Sequence, residues 1–172
     1  IGRTLALGAS GVCVPHVNTA DEARAVAQAA YYGPKGRRGM AGGRRSIGVD
    51  DYYGEANDNV LTAILIEDVA AIPHLAEMVT VDGIDIFYVA PGDLSQSMGL
   101  TGQTTHPDVR AVVEESIATI VAAGRVAGTL VNDETLDWAL AQGVRVVGTS
   151  WEPWIVAGAS RFAERAHAGR QA

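Results

Sequence analysis

The chain has little cysteine and no apolar run that approaches the roughly 20 residues needed to cross a bilayer. Its 172 residues include one cysteine, Cys13, so an internal disulfide is excluded. A single cysteine is typical of a reducing compartment, and we therefore expect a cytoplasmic protein with no membrane partner. Because Cys13 lies in the apolar run "GVCVP", we expect its thiol to be buried and unreactive.

Basic residues are also scarce. Lys and Arg number 13 against 20 Asp and Glu, which gives a formal net charge of −7. This balance disfavours a nucleic-acid or anionic membrane partner, because either would require a basic face. Hydrophobic residues make up 48% and charged residues 19%, as in a globular protein. The opening "IGRTLALGASG" resembles the end of a helix already under way, so we expect a longer protein upstream.

Short apolar runs alternate with helical patterns along the whole chain. The predicted helices include one after the capping-box pair Thr19 and Glu22, one over 68–79 with Pro73 near its first turn or at a kink, and one over 106–124. Five βα units in series predict an α/β fold with a parallel sheet and right-handed crossovers. From the residues alone, an open doubly wound sheet and most of an eight-stranded barrel both remain open. The predicted strands are 11–17, 60–67, 83–90, 126–131 and 144–150.

Two carboxylates follow consecutive predicted strands, Glu67 after "ILI" and Asp93 after "FYVAPG". Neighbouring parallel strands lie ~4.8 Å apart, so both side chains can reach one ion. Mg²⁺ is commonly held by one or two carboxylates together with waters and substrate oxygens. From the spacing alone three interpretations remain open, a divalent-metal site, an N-cap of the next helix for Asp93, or surface acids.

Other polar groups at strand ends and loops have two interpretations each. His16 is either a buried, hydrogen-bonded histidine or a site residue. The turn between Gly92 and Gly99 could direct backbone N–H groups at an anion. The arginines of the long 33–58 loop could bind a carboxylate or phosphate, or lie solvated at the surface; they are Arg37, Arg38, Arg44 and Arg45.

Several stretches together resemble the HpcH/HpaI aldolase family over nearly the whole chain. They are "VPHVNTADEAR", "GPKGRRGM", "ILIED", "GIDIFYVAPGDLSQSMG", "THPDV" and "AAGRVAGTLV". The resemblance implies a (β/α)8 TIM-barrel type of fold, with about five βα units in this chain. It also implies that residues 1–172 are the C-terminal portion of a single barrel domain whose first three βα units precede residue 1.

The resemblance implies a role for each matching residue. Glu67 and Asp93 would be the ligands of a divalent metal ion (Mg²⁺, Mn²⁺ or Co²⁺). The backbone of Gly92 and Asp93 would bind the carboxylate of pyruvate, and Leu130 would line the pocket near the methyl group. The catalytic base and a substrate-binding arginine are expected upstream of residue 1. Leu65 stands where many members carry a glutamine that helps to hold pyruvate.

The implied activity is that of a class II aldolase, a carbon–carbon lyase. It would reversibly cleave a 4-hydroxy-2-oxoacid to pyruvate and an aldehyde through a metal-stabilised pyruvate enolate, with oxaloacetate as a possible substitute for pyruvate. A homo-oligomer, trimer or hexamer, is implied, in which Trp151 and Trp154 are either interface anchors or ordinary core residues. Two alternatives are a citrate-lyase-like acyl-CoA lyase, which would need the 35–45 loop as a CoA-binding surface, and a catalytically inactive metal- and 2-oxoacid-binding module.

Overall fold

A computed structural model describes residues 1–40 and 43–168, and its centre is a sheet of five parallel strands that lie side by side in chain order. The register pairs Cys13 with Ala63, Ala63 with Ile86, and Ile86 with Val126. Each strand lies within one of the apolar runs that predicted it. The strands are β1 Gly11–Val14, β2 Leu61–Ile66, β3 Ile86–Val89, β4 Val126–Leu130 and β5 Val146–Gly148.

The sequential strand order decides between the two architectures that the residues left open. A doubly wound sheet reverses its strand order at a switch point, whereas a TIM barrel adds strands in chain order. The observed order is that of a barrel. Within the described residues the sheet ends at β1 and β5, each hydrogen-bonded to a single neighbour, so this part of the chain forms a five-stranded arc rather than the closed eight-stranded barrel.

Helices connect the strands, and local sequence explains where several of them begin. Thr19 accepts a hydrogen bond from the Glu22 amide, and the Glu22 carboxylate accepts one from the Thr19 amide, which completes the expected capping box. Short 3₁₀ segments cover Arg44–Ser46 and Val69–His74. The helices are α1 Gly2–Ala6, α2 Ala20–Ala30, α3 Tyr52–Glu55, α4 Leu75–Met78, α5 Pro91–Ser97, α6 Pro107–Ala122, α7 Leu136–Ala141 and α8 Glu152–Ala168.

The hydrophobic core lies between the sheet and the helices that cover its outer face. Alternate strand residues point to this face, and Ile64, Ile66 and Phe87 are fully buried there. From the helix side, Ile117 and Ile120 of α6 are equally inaccessible to solvent. Burial of such side chains stabilises each by about 1.5–3 kcal/mol relative to exposure. Packing against the helices therefore stabilises the sheet on its outer face.

The opposite face, here called the inner face, is only partly covered. It carries Leu61, Leu65, Tyr88 and Leu130, of which Leu61 and Leu130 are each 51% exposed. The Tyr88 ring lies across β4, where a Cβ added to Gly128 would come within 2.6 Å of the ring. Tyr88 therefore fills the inner face over β4 only because that position has no side chain.

Two sequence-based interpretations are wrong. Cys13 is exposed rather than buried, because β1 is an end strand and its side chain shares the inner face with Ala63. Trp151 and Trp154 are not core residues, since they are 59% and 50% exposed. The segment predicted as a helix over 68–79 is helical, but it consists of a 3₁₀ segment that contains Pro73, which lacks an N–H donor, followed directly by α4.

In residues 1–40 and 43–168, every helix is too short or too polar to span a bilayer.

Candidate metal and substrate site

The two predicted metal ligands lie at the same edge of the sheet. Glu67 directly follows β2, and the amide of Ala90, which follows β3, donates to the Ile66 carbonyl at 3.0 Å. Helix α5 starts at the next residue, Pro91, and Asp93 lies in its first turn. The carboxyl ends of neighbouring parallel strands therefore bring Glu67 and Asp93 to one mouth of the fold, as the sequence predicted.

Glu67 is a buried carboxylate held from β1. Its side chain is 3% exposed, and its Oε1 accepts a hydrogen bond of 2.8 Å from the His16 backbone N–H. The Nδ1 atom of His16 lies 3.6 Å from the same oxygen. A buried carboxylate is costly unless its oxygens are hydrogen-bonded or paired, and the His16 amide supplies such a bond to Oε1.

Asp93 differs from Glu67 in being exposed. It is the third residue of α5, whose N-cap position is taken by Ala90 without a side-chain hydrogen bond. The interpretation of Asp93 as an N-cap is therefore wrong. A carboxylate in the first turn of a helix is favoured by the helix dipole, and it remains accessible here to a ligand.

The residues implied to bind substrate lie beside Asp93. Gly92 is exposed, and no atom lies within 4 Å of the position that a Cβ would take. The amides of Gly92 and Asp93 belong to a first helical turn, where N–H groups have no intrahelical acceptor. Leu130 ends β4 on the inner face, and together with Pro91, Arg110 and Trp138 it lines a cavity of about 190 Å³.

Glu67 and Asp93 supply a donor set suited to a hard divalent cation. Within the part of the chain that the structure describes, no three His, Cys, Asp or Glu side chains form a metal-binding group. Mg²⁺ and similar ions nevertheless need only one or two carboxylates when water and substrate oxygens complete the coordination. The residues present therefore fit such an ion as a two-carboxylate site that stays open to substrate.

Cys13 and Tyr88 extend the site along the inner face without adding charge. Partial burial and the neighbouring Glu67 charge raise the pKa of the Cys13 thiol. Burial and the neighbouring Cys13 raise the pKa of the Tyr88 hydroxyl, and the Gly148 backbone partly offsets this. Both groups are therefore protonated near neutral pH and add no charge to the site.

The basic loop is not part of this site. It joins the end of α2 to the start of β2, at the edge of the sheet opposite Glu67 and Asp93. Arg38 is buried with its guanidinium over the Tyr32 ring, and Arg45 donates to the Ala9 carbonyl just before β1. Arg38 and Arg45 thus take up structural positions at the far end of the strands, whereas Arg37 and Arg44 are exposed.

Two further polar residues lie near strand ends, and their side chains have different environments. The Asn132 side chain accepts hydrogen bonds from the amides of Glu134 and Thr135, so it stabilises the turn before α7. The His16 side chain is 68% exposed, and the interpretation of a buried histidine is wrong. The sequence predicted that His16 lies at a strand end, but it did not predict the contact between His16 and Glu67, because these residues are 51 positions apart.

The strand order and the two strand-end acids define a barrel-type α/β protein whose candidate site lies at the carboxyl ends of its strands. A family model described as HpcH/HpaI aldolase/citrate lyase matches residues 1–152. The chain belongs to this family, as the resemblance predicted.

Named relatives support the same assignment. The chain is 41% identical over 140 residues to a 2-keto-3-deoxy-L-rhamnonate aldolase of Klebsiella pneumoniae subsp. pneumoniae, covering 79% of this chain and 52% of the relative. It is 37% identical over 166 residues to a hydroxypyruvate/pyruvate aldolase of Cupriavidus necator, covering 94% and 62%. The chain thus spans between about half and two thirds of the length of these relatives.

A solved structure agrees with the fold. An HpcH/HpaI aldolase/citrate lyase family protein from Burkholderia cenocepacia J2315 superposes with a TM-score of 0.86 at 23% identity, covering 96% of this chain and 68% of that one. At this identity the similarity shows the fold alone.

Proposed function

We propose that this chain carries the metal- and pyruvate-binding part of a class II aldolase, a carbon–carbon lyase. The reaction would be the reversible cleavage of a 4-hydroxy-2-oxoacid to pyruvate and an aldehyde. The observation that carries the proposal is the placement of Glu67 and Asp93 at the carboxyl ends of neighbouring strands in a member of this family. It remains a prediction that residues 1–172 form the C-terminal portion of one barrel domain.

The names of the relatives support the proposed substrate class. Their names specify 2-keto-3-deoxy-L-rhamnonate, hydroxypyruvate or pyruvate, and 4-hydroxy-2-oxo-heptane-1,7-dioate. These compounds share a 2-oxoacid and differ in the remainder of the molecule. We therefore assign the 2-oxoacid end, pyruvate or oxaloacetate, to the site at Gly92 and Asp93, and we leave the aldehyde unassigned.

Each residue would have a distinct task. Glu67 and Asp93 would hold the divalent cation (Mg²⁺, Mn²⁺ or Co²⁺), and the amides of Gly92 and Asp93 would bind the pyruvate carboxylate. Leu130 would pack against the methyl group on the inner face. A bound divalent cation would polarise the keto group and so favour loss of a methyl proton. The expectation that the base and an arginine precede residue 1 remains a prediction.

The position of the basic loop favours an aldolase over an acyl-CoA lyase. A CoA-binding surface would have to come from residues 35–45, and this loop lies at the opposite edge of the strands from Glu67. A CoA chain bound there would be remote from the two carboxylates. The inactive-module alternative is separated from the aldolase by the experiment below.

We propose that copies of this chain associate through α8. This helix has no buried residue, although it presents a stripe of large apolar side chains at helical spacing. The stripe, here called the α8 stripe, consists of Trp151, Trp154, Ile155 and Phe162, which are between 50% and 74% exposed. Exposed apolar patches of this kind mark association surfaces, and a second copy is the partner that we propose.

The decisive experiment is solvent deuterium exchange into the methyl group of pyruvate, followed by NMR. If this chain or a second copy of it supplies the base, we expect exchange with Mn²⁺ and none with EDTA. In Asp93→Asn we then expect a fall of about 10²-fold or more, the size of effect seen when a group that stabilises developing charge is lost. Asp108→Asn is the matched control, because Asp108 is also an exposed first-turn acid in a helix that begins with proline.

The possible results separate the alternatives. Exchange that persists unchanged in Asp93→Asn would refute the proposed role of this residue. Metal-dependent binding of pyruvate without exchange would show that residues 1–172 bind the 2-oxoacid but do not supply the base, as in an inactive module or in a domain whose base precedes residue 1. If neither exchange nor binding occurs, the aldolase proposal fails for this chain.

A further inference from the structure

The backbone of His16 is strained. Its φ angle is +53°, and it is the one non-glycine residue in 1–40 and 43–168 with a positive φ. In this left-handed region the Cβ of an L-residue crowds its own backbone, so such residues persist only where the surroundings hold them. The strain occurs just beyond the carboxyl end of β1, at the same edge as Glu67. The contacts of His16 should therefore explain its strained φ angle.

The contact that His16 gains from this conformation is a hydrogen bond to Glu67. The backbone N–H of His16 donates to Oε1 at 2.8 Å, across a separation of 51 residues. Hydrogen bonds to an ionised acceptor are about twice as strong as neutral ones, and burial strengthens them further. Glu67 is 3% exposed, so the bond links a strained backbone to a shielded charge.

We propose that His16 is a positioning residue for the metal-binding carboxylate. Its left-handed conformation aims the N–H group at Oε1 of Glu67, which fixes the rotation of the carboxylate and would leave Oε2 for the cation. The inference rests on the proposed metal site, because it assigns a role to the residue that holds Glu67. It concerns this chain's own backbone rather than the metal.

The imidazole does not carry this role. The His16 side chain is 68% exposed, and its Nδ1 lies 3.6 Å from Oε1, which is beyond hydrogen-bond distance. Histidine, like asparagine, is among the non-glycine residues most tolerated in the left-handed region, whereas a β-branched residue there is a genuine outlier. The conformation at position 16, and not the ring, is the property that matters.

This distinction supplies a matched pair of variants. His16→Asn and His16→Val both remove the imidazole, but only His16→Val disfavours the left-handed conformation. Affinity for Mn²⁺ is measured by electron paramagnetic resonance of the free ion, without substrate. We expect His16→Asn to bind within about twofold of the wild-type chain and His16→Val to bind about tenfold more weakly, the loss usual for a residue that orients a metal ligand.

A second measurement observes the hydrogen bond directly. The amide proton of residue 16 should resonate far downfield in the wild-type chain and in His16→Asn, and it should move upfield in His16→Val and in Glu67→Gln. Circular dichroism checks that each variant is folded. If His16→Val does not fold, His16→Gly replaces it, with the expectation of wild-type Mn²⁺ affinity and a higher melting temperature, because glycine accepts the conformation without strain.

The outcomes that overturn the proposal are distinct from those that overturn the proposed function. Equal Mn²⁺ affinities of His16→Asn and His16→Val, or a loss in His16→Asn or His16→Gly as large as that expected for His16→Val, refute the positioning role alone. A wild-type chain that binds no Mn²⁺ refutes the metal site and with it the positioning role, while the downfield amide proton still reports whether the bond to Glu67 exists.

Discussion

Leu65 is the residue on the inner face at which this chain departs from the pattern that the family resemblance implied. It lies on β2, pairs with Tyr88 and precedes Glu67 by two positions, so both side chains point to the same face. A leucine offers neither a donor nor an acceptor to a 2-oxoacid. The proposed site therefore holds pyruvate with one polar contact fewer than a glutamine would allow.

We predict that Leu65→Gln tightens pyruvate binding. A hydrogen bond to a charged group contributes about 1.5–3 kcal/mol, which corresponds to a dissociation constant at least tenfold lower in the presence of Mn²⁺. Isothermal titration calorimetry measures the change. Leu61→Gln is the control, since Leu61 lies on the same face at the other end of β2. An equal effect of both variants, or none, would contradict the prediction.

A second residue-scale prediction concerns Cys13. Because the Glu67 charge helps to raise the pKa of this thiol, Glu67→Gln should lower that pKa and make alkylation by iodoacetamide faster near pH 8. The rate in the wild-type chain should rise with pH to a midpoint above the ordinary thiol value, because the thiolate is the reacting form. Superimposable pH–rate profiles of the two proteins would show that the carboxylate does not influence the thiol.

At the scale of elements, the N-terminus of α2 connects local sequence to the site. The Glu22 carboxylate accepts hydrogen bonds from the amides of Asn18 and Thr19, at 2.7 and 3.0 Å, just after the strained His16. This capping box fixes where the chain leaves β1 and where the helix begins. The segment that holds Glu67 is thus anchored on its far side by α2.

Removal of the cap should destabilise the fold. We predict that Thr19→Ala lowers the free energy of unfolding by about 1 kcal/mol, because the Glu22 amide loses its side-chain acceptor. Urea denaturation measures this change. Thr119→Ala serves as a control, since its hydroxyl donates to a carbonyl within α6 that the helix already satisfies. The prediction fails if the two variants lose equal stability.

Prediction of elements from sequence succeeded where the deciding forces are local. The residues that determine the capping box of α2 and the strands β2 and β4 lie within a few positions of one another in the sequence. Over 68–79 the sequence predicted a helix with Pro73 in its first turn or at a kink, but it did not predict that the part containing Pro73 is a 3₁₀ segment. Prediction failed for Cys13, because an apolar run does not show which face of a strand remains uncovered.

At the scale of the whole molecule, α8 is the element that the described part of the chain leaves unpacked. We predict that Phe162→Glu, within the α8 stripe, lowers the mass of the protein in solution, because a charge would be desolvated in the interface between copies. Ser160→Glu is the control, since this exposed residue lies on the opposite side of the same helix. Analytical ultracentrifugation measures both.

Two results would contradict the assignment of α8. A wild-type chain that stays monomeric over the full concentration range has no such interface. An unchanged mass in Phe162→Glu would place the contact between copies elsewhere.

The amino-acid order alone specified the alternation of strands and helices, the family, and the two carboxylates at consecutive strand ends. The alternation and the strand-end carboxylates depend on periodicity and spacing, which are properties of neighbouring residues, whereas the family was indicated by the resemblance of several short motifs. Tertiary structure alone decided the sequential order of the sheet, the exposure of Cys13, Trp151 and Trp154, and the hydrogen bond between His16 and Glu67. Each of these depends on which distant segments meet, because a side chain's burial and a strained backbone angle are set by partners far away in the chain.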